Sequence, residues 1–236
     1  MIQSLEKFKV SVDELDDFAK NWYGKIHEAC KRSQFLAPSY MWFRYYLCIL
    51  ALSRICDPKF LVDVYNLSRC CLEYNVSLEA LMKFPDLRKI YLEYDKHAKS
   101  KYYEISKWAD DFLSEKKSRE YLEQKYGKNY KQYKDTAWYK KLGGIKGLFE
   151  KVNRKSEYKL YIAYSHFTHG SILYAELTTK QMKDKETILN KLITLAYCNF
   201  VCGSNAFLEN AWGKIHTTDS DDCKNQFYNL TKDFLS

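Results

Sequence analysis

Two histidines lie three residues apart in the segment YKLYIAYSHFTHGSILY, residues 158–174. Histidine titrates near neutral pH, so such a pair could form a reaction site, a ligand site or a polar seam inside a helical core. On a helix, Ser165 and His169 are four residues apart and share a face, whereas His166 points about 60° away from it. Two helical histidines that bind one metal ion favour the four-residue spacing. The spacing therefore predicts no metal site, leaves His166 as a structural residue, and makes Ser165 and His169 the candidate pair.

A second polar pair, Arg69 and Glu73, lies in a predicted helix from Pro58 to about Lys83 that is apolar on almost every face. Residues four apart on a helix are neighbours, and a charge buried without a partner is costly. Two interpretations stay open. Either Arg69 and Glu73 satisfy each other and organise the core, or they line a polar pocket.

If the two helices face each other, Arg69, Glu73, Ser165 and His169 would converge. In that arrangement Arg69 would hold an anion, His169 would act as general acid or base, and Glu73 would orient one of them. The sequence contains neither a zinc-type cysteine pattern nor a glycine loop that cradles phosphate. We therefore expect no metal and no other cofactor.

The elements that position these residues are predicted to be helices. The chain has only 8 glycines and 3 prolines in 236 residues, and so few breakers favour long helices over short strands and tight turns. We predict an all-α fold, a helical bundle of seven to eight helices, some of them long. Two start signals support individual helices: Ser11 and Glu14 form a capping box, and Asp57 precedes Pro58.

The sequence predicts one helical domain over residues 1–236. Its parts are an N-terminal helical extension (1–50), a central core (51–176) and C-terminal helices (177–236). The longest apolar run, Tyr45–Leu52, is far shorter than the roughly 20 residues that span a bilayer, and no secretory signal is visible. We therefore expect a cytoplasmic protein with reduced thiols and no membrane partner. An apolar C-terminal helix leaves a homodimer face open, with internal packing favoured.

The net charge of +8 is concentrated in one segment. Residues 95–159 contain 18 basic and 10 acidic side chains, whereas the rest of the chain contains 20 of each. Tyrosines are interleaved with these lysines. Basic residues among aromatics suit a phosphate backbone with unstacked bases, so nucleic acid is one candidate partner for this segment. The favoured alternative is a solvated lysine face on long helices.

Three motifs resemble a bacterial family catalogued as domain of unknown function 5677. The motif LSRCCLEYNVSLEAL carries Arg69 and Glu73 at the places of an Arg-x-x-x-Glu helix. The motif AWYKKLGGIKGLFEKV matches a tryptophan-containing segment of the family, with Trp138 at the matching place. The motif YKLYIAYSHFTHGS ends in Ser-x-x-x-His, with Ser165 and His169 at the matching places. The likeness covers residues 51–176, about half of the chain.

The resemblance implies an all-helical, cytoplasmic bacterial protein and no established activity. The helical ribonucleases of prokaryotic toxins and defence proteins, known as HEPN, have an arginine and a histidine separated by four to six residues on one helix. This chain lacks that motif, since the nearest arginine before His166 is Arg154. A ribonuclease site here would have to be assembled from two helices.

Three hypotheses about function therefore stay open, and the sequence does not decide whether the protein is an enzyme. The first and favoured one is a binding or regulatory module, with phage defence as one context. The second is a metal-independent, ribonuclease-like enzyme that acts on nucleic acid through His169, Arg69 and Glu73. The third is a protein that binds a small anionic ligand in the same pocket.

Overall fold

The computed structural model describes residues 5–105, 120–125, 127, 138–168, 184–215 and 219–235. Within these ranges the chain is helical and has no strand, which confirms the predicted all-α bundle. We label its principal helices α1 (Leu5–Lys31), α2 (Leu36–Ile55), α3 (Leu61–Lys83), α4 (Pro85–Ile105), α5 (Gly144–Lys151), α6 (Lys155–Thr168), α7 (Lys185–Asn210) and α8 (Ser220–Leu235). Short 3₁₀ turns cover Pro58–Phe60, Lys140–Leu142 and Trp212–Ile215.

Helix α3 occupies the middle of the bundle. It packs against α2, α6 and α7, and α1 covers the outer side of α2. The apolar residues on most faces of α3 explain this position, because each face has a neighbouring helix to bury it. Large aromatic side chains fill the surrounding core: Trp42, Tyr45, Tyr91, Tyr197, Phe200, Phe207 and Phe227.

The two start signals had different outcomes. Asp57 accepts a hydrogen bond from the Lys59 backbone nitrogen at 2.8 Å and caps the turn that leads into α3, as predicted. The capping-box prediction was wrong, since α1 already begins at Leu5 and Ser11 lies inside it. There the Ser11 hydroxyl donates to the carbonyl oxygen of Lys7 at 2.8 Å.

Helices α3 and α6 run antiparallel. In the middle of α6, Tyr161 lies beside Arg69, while Phe167, near its end, stacks on Tyr65 one turn earlier in α3. The ring centroids of Tyr65 and Phe167 are 4.0 Å apart and their planes differ by 3°. The two helices therefore face each other, and the direction of α6 carries it away from Arg69 as the chain advances.

A tight connection places Trp138 and Tyr139 against the bundle. Gly143 and Gly144 have φ values of 85° and 81°, a left-handed conformation that glycine adopts without steric cost. The Trp138 ring packs edge-on against Tyr91 of α4, with centroids 5.6 Å apart. The double-glycine turn thus delivers two aromatic residues to the side of the core where α3 lies.

Within the described ranges, no helix combines the length and the apolarity needed to cross a membrane. The division into residues 1–50, 51–176 and 177–236 stays a prediction.

Candidate functional site

Arg69 and Glu73 do not pair with each other. Both side chains are described, yet no ion pair within 4.0 Å joins them. Glu73 instead accepts a hydrogen bond from the hydroxyl of Tyr139, at 2.9 Å from its Oε1 atom. Burial, followed by the Glu73 charge and this hydrogen bond, raises the pKa of Tyr139 well above its usual range. Tyr139 therefore stays a protonated donor to Glu73 throughout the physiological range.

Arg69 is held by an aromatic ring. Its guanidinium carbon lies 5.5 Å from the centroid of the Tyr161 ring on α6, a cation–π contact. The Nε atom of Arg69 is buried and has no hydrogen-bond partner among the residues that the structure describes. Arg69 and Glu73 thus connect α3 to two different elements, α6 and the segment around Tyr139.

The predicted histidine site cannot be placed against this pair. His169 lies outside the described residues. Ser165 is described, and its hydroxyl donates to the carbonyl oxygen of Tyr161 at 2.8 Å, a bond within α6. His166 lies on an exposed face of the same helix. The grouping of Arg69, Glu73, Ser165 and His169 therefore stays a prediction.

The structure reveals a cavity that the sequence did not indicate. Its volume is about 540 Å³, within the size range of sites that bind small molecules. Its walls come from the turn between α1 and α2, the second half of α3, the start of α4, Arg154, the second half of α7 and the 3₁₀ turn that follows α7. Four basic side chains and one acidic side chain line it: Lys83, Arg88, Arg154, Lys214 and Glu79.

Glu79 holds two of these cations. Its Oε2 atom lies 2.6 Å from Nε of Arg154, and its Oε1 atom pairs with Lys83 one turn along α3. Arg154 also lies 3.7 Å from a carboxylate oxygen of Glu157. Because Arg154 directly precedes α6, these pairs join the start of α6 to the end of α3.

Arg88 closes the end of α3. It donates to the carbonyl oxygens of Leu81 at 2.6 Å and Met82 at 2.7 Å, and to Oε1 of Gln34 at 2.7 Å. The last carbonyls of a helix have no partner within it and carry partial negative charge, so a guanidinium stabilises them. Burial lowers the pKa of Arg88, which is only 8% exposed, but an arginine keeps its charge in this setting. Arg88 therefore supplies a fixed positive charge to the cavity wall.

Lys214 is the most available of the four cations. It is exposed at the rim of the cavity, and its ammonium group makes no ion pair or hydrogen bond with any described residue. The cavity therefore carries more positive charge than its carboxylate neutralises. Such a site favours an anion, because charges interact more strongly where solvent is partly excluded.

The comparisons with known proteins identify the family to which the chain belongs. A family model described as "Family of unknown function (DUF5677)" matches residues 35–186, more than half of the chain. The chain belongs to the DUF5677 family. No curated protein and no solved structure matches it. The match confirms the resemblance drawn from the three motifs and is wider than residues 51–176 on both sides.

The DUF5677 match includes only part of the cavity. It contains the lining residues of α3 and α4 and also Arg154, while Gly203 of α7 and Lys214 of the following 3₁₀ turn lie beyond residue 186. The family region and the C-terminal helices thus build the cavity together.

Sequence reasoning missed Asn75, Arg88, Arg154 and Lys214. One signal was present, since Asn75, Glu79 and Lys83 recur every fourth residue on an otherwise apolar helix. Such a row predicts a polar face, but it does not indicate which distant cations meet it. In the part of the chain that the structure covers, no group of three or more His, Cys, Asp and Glu side chains is placed to hold a metal ion.

The basic segment 95–159 is described only in part. Where it is described, two lysines lie over one tyrosine ring: Lys96 and Lys125 are 3.4 Å and 5.7 Å from the centroid of Tyr121. Lys125 also pairs with Glu93. The predicted contact with nucleic acid stays a prediction.

Proposed function

We propose that this DUF5677 protein is a non-catalytic module that binds a small anionic ligand in the cavity between α3 and α7. The observation that carries the proposal is the cavity of about 540 Å³ with four basic side chains and one acidic side chain in its walls. Arg69 and Glu73 have a structural role in this proposal, because their contacts with Tyr161 and Tyr139 join α3 to its neighbours.

The anion would enter on the side of Lys214, whose ammonium group has no partner among the described residues. Arg154 and Lys83 are already oriented by Glu79, so an entering anion does not have to order them. Preorganised cations favour binding because less conformational entropy is lost. A phosphate group, which accepts several charge-assisted hydrogen bonds, suits such a cluster.

The test is ligand-induced stabilisation of the folded chain. A ligand that binds only the folded state raises the melting temperature as its concentration rises. We expect inorganic phosphate and pyrophosphate to raise the melting temperature of the full chain, and Lys214→Glu to abolish that rise.

The matched control is Lys191→Glu on α7. Lys191 is exposed and does not line the cavity, and its replacement by glutamate changes the net charge by the same amount as Lys214→Glu. We expect it to keep the response of the parent protein. If Lys214→Glu and Lys191→Glu respond alike, any anion effect is a property of net charge and the proposal is rejected.

A second candidate function is the ribonuclease-like enzyme, with His169 as general acid or base, Arg69 on the phosphate and Glu73 as the orienting group. One observation favours it: no carboxylate among the described residues forms an ion pair with the Arg69 guanidinium, so its charge is available to a phosphate. A role in phage defence stays a prediction for either candidate.

An RNA-cleavage assay tests the second candidate. Single-stranded RNA is incubated with the protein in the presence of a chelator. Cleavage that is lost in His169→Ala and retained in His166→Ala would support it. Cleavage that survives in a folded His169→Ala variant, or an absence of cleavage by the parent protein, would reject it.

A further inference from the structure

The most deeply placed polar side chain of the cavity is Asn75. It is 3% exposed, lines the cavity, and makes no hydrogen bond with any residue in the described part of the chain. Buried amides are almost always paired, because an unpaired buried amide is unfavourable. An asparagine amide offers two donors and one acceptor in a single plane. Asn75 therefore presents an unused planar hydrogen-bonding edge to whatever occupies the cavity.

Gly203 on α7 keeps this edge open. A Cβ atom at position 203 would lie 2.9 Å from Oδ1 of Asn75, closer than real Cβ contacts allow. The same atom would lie 3.7 Å from a methyl group of Leu78 and 3.9 Å from the ring of Tyr45, which are ordinary contacts. The absence of a side chain at this one position thus lets α7 approach α3 without covering the amide.

The amide edge and the cationic cluster are neighbours. Asn75 and Glu79 are one turn apart on the same face of α3, and Glu79 holds Arg154 at 2.6 Å. A single ligand that lies along this face of α3 can therefore meet the planar amide at one end and the cationic cluster at the other.

We infer that the ligand is a nucleotide, with its base edge on Asn75 and its phosphate among Arg154, Lys83 and Lys214. This inference rests on the proposed anion-binding function and goes beyond it by naming the ligand class. Nucleobases carry adjacent donors and acceptors in one plane, and asparagine pairs with such an edge through two hydrogen bonds. Inorganic phosphate and simple sugar phosphates lack that edge.

The test compares two kinds of phosphate compound on the full chain by titration calorimetry. The probes are ribose 5-phosphate and the 5′-monophosphates of adenosine, cytidine, guanosine and uridine. We expect at least one nucleotide to bind about tenfold or more tightly than ribose 5-phosphate, which is the discrimination of one good bidentate pair. If none of the four exceeds ribose 5-phosphate, the nucleotide inference is overturned while the anion site stands.

Asn75→Leu separates base recognition from phosphate binding. We expect this variant to lose the preference for the nucleotide and to bind ribose 5-phosphate within about twofold of the parent protein. Asn66→Leu on the same helix, away from the cavity, is the matched control and keeps the preference. A folded Asn75→Leu variant that retains the preference overturns the inference.

Gly203→Ala is a second variant that tests the same contact without removing the amide. Its Cβ displaces Oδ1 of Asn75, so the nucleotide preference falls again, whereas Gly24→Ala, where an added Cβ meets nothing within 4 Å, leaves it unchanged. If no phosphate compound binds the parent protein, the proposed function fails and the nucleotide inference fails with it.

Discussion

At the scale of single residues, the partners of Arg69 and Glu73 are the informative result. Their spacing predicts that they can pair, but each contacts a residue on another element instead. Glu73 accepts a hydrogen bond from the hydroxyl of Tyr139, and the Arg69 guanidinium lies over the ring of Tyr161. A neighbour on the same helix is always within reach, and a partner on another element replaces it when it offers better geometry.

Double-mutant cycles test these partners. We expect a coupling energy of about 1–2 kcal/mol between Tyr139→Phe and Glu73→Ala, because the hydrogen bond joins a hydroxyl to a charged group. Between Arg69→Ala and Glu73→Ala we expect a coupling below about 0.5 kcal/mol. Free energies of unfolding in urea give both values, and Tyr228→Phe, on an exposed ring, is the neutral control. A larger coupling energy between Arg69→Ala and Glu73→Ala would show that the two side chains form a buried ion pair.

At the scale of elements, the connection that carries Tyr139 depends on its glycines. Gly147 lies in α5 where a Cβ atom would be 1.5 Å from the carbonyl oxygen of Leu142, which is a backbone atom. The backbone of the preceding turn would have to move to admit any side chain. This turn follows Tyr139 by three residues, so its shape also controls the bond to Glu73.

We therefore expect Gly147→Ala to lower the free energy of unfolding by about 2–3 kcal/mol, as overpacking does. It should also reduce the coupling between Tyr139 and Glu73. Gly24→Ala is the control and should raise the free energy of unfolding, since Gly24 lies in α1 with open space around it. Alanine in a helix is favoured over glycine by roughly 1 kcal/mol. Urea denaturation of both variants measures the difference, and a neutral Gly147→Ala would contradict the close contact with Leu142.

At the scale of the whole molecule, burial divides the eight cysteines into classes. Five are buried, Cys70 and Cys198 are partly buried, and Cys202 is exposed beside Gly203 in the cavity wall. Burial raises the pKa of Cys30 and of Cys223 to about 12. The thiolate is the reactive form, so these two thiols should be inert until the bundle unfolds.

Thiol labelling of the native protein at about pH 8 should therefore modify Cys202 first. Cys202→Ser should remove the fast phase, whereas Cys198→Ser should leave it. Inorganic phosphate at saturating concentration should slow the same phase if it occupies the cavity. Fast labelling of Cys30 or Cys223 in the folded state would contradict their burial.

The sequence by itself determined the helical class, the cap at Asp57, the buried character of α3 and the family of the chain. These features depend on local composition, on periodicity and on short motifs. The capping box at Ser11 failed because the same signal is tolerated inside a helix, where the hydroxyl bonds to the carbonyl four residues earlier.

Only the tertiary structure decided which polar groups meet. The cavity takes Asn75 and Glu79 from α3, Arg88 from α4, Arg154 from the residue before α6 and Lys214 from the 3₁₀ turn after α7. Apart from Asn75 and Glu79, which are four residues apart, these residues come from different elements and share no spacing rule. Their meeting follows from the packing of α3 against α7, in which Gly203 lets the two helices come close without covering the amide of Asn75.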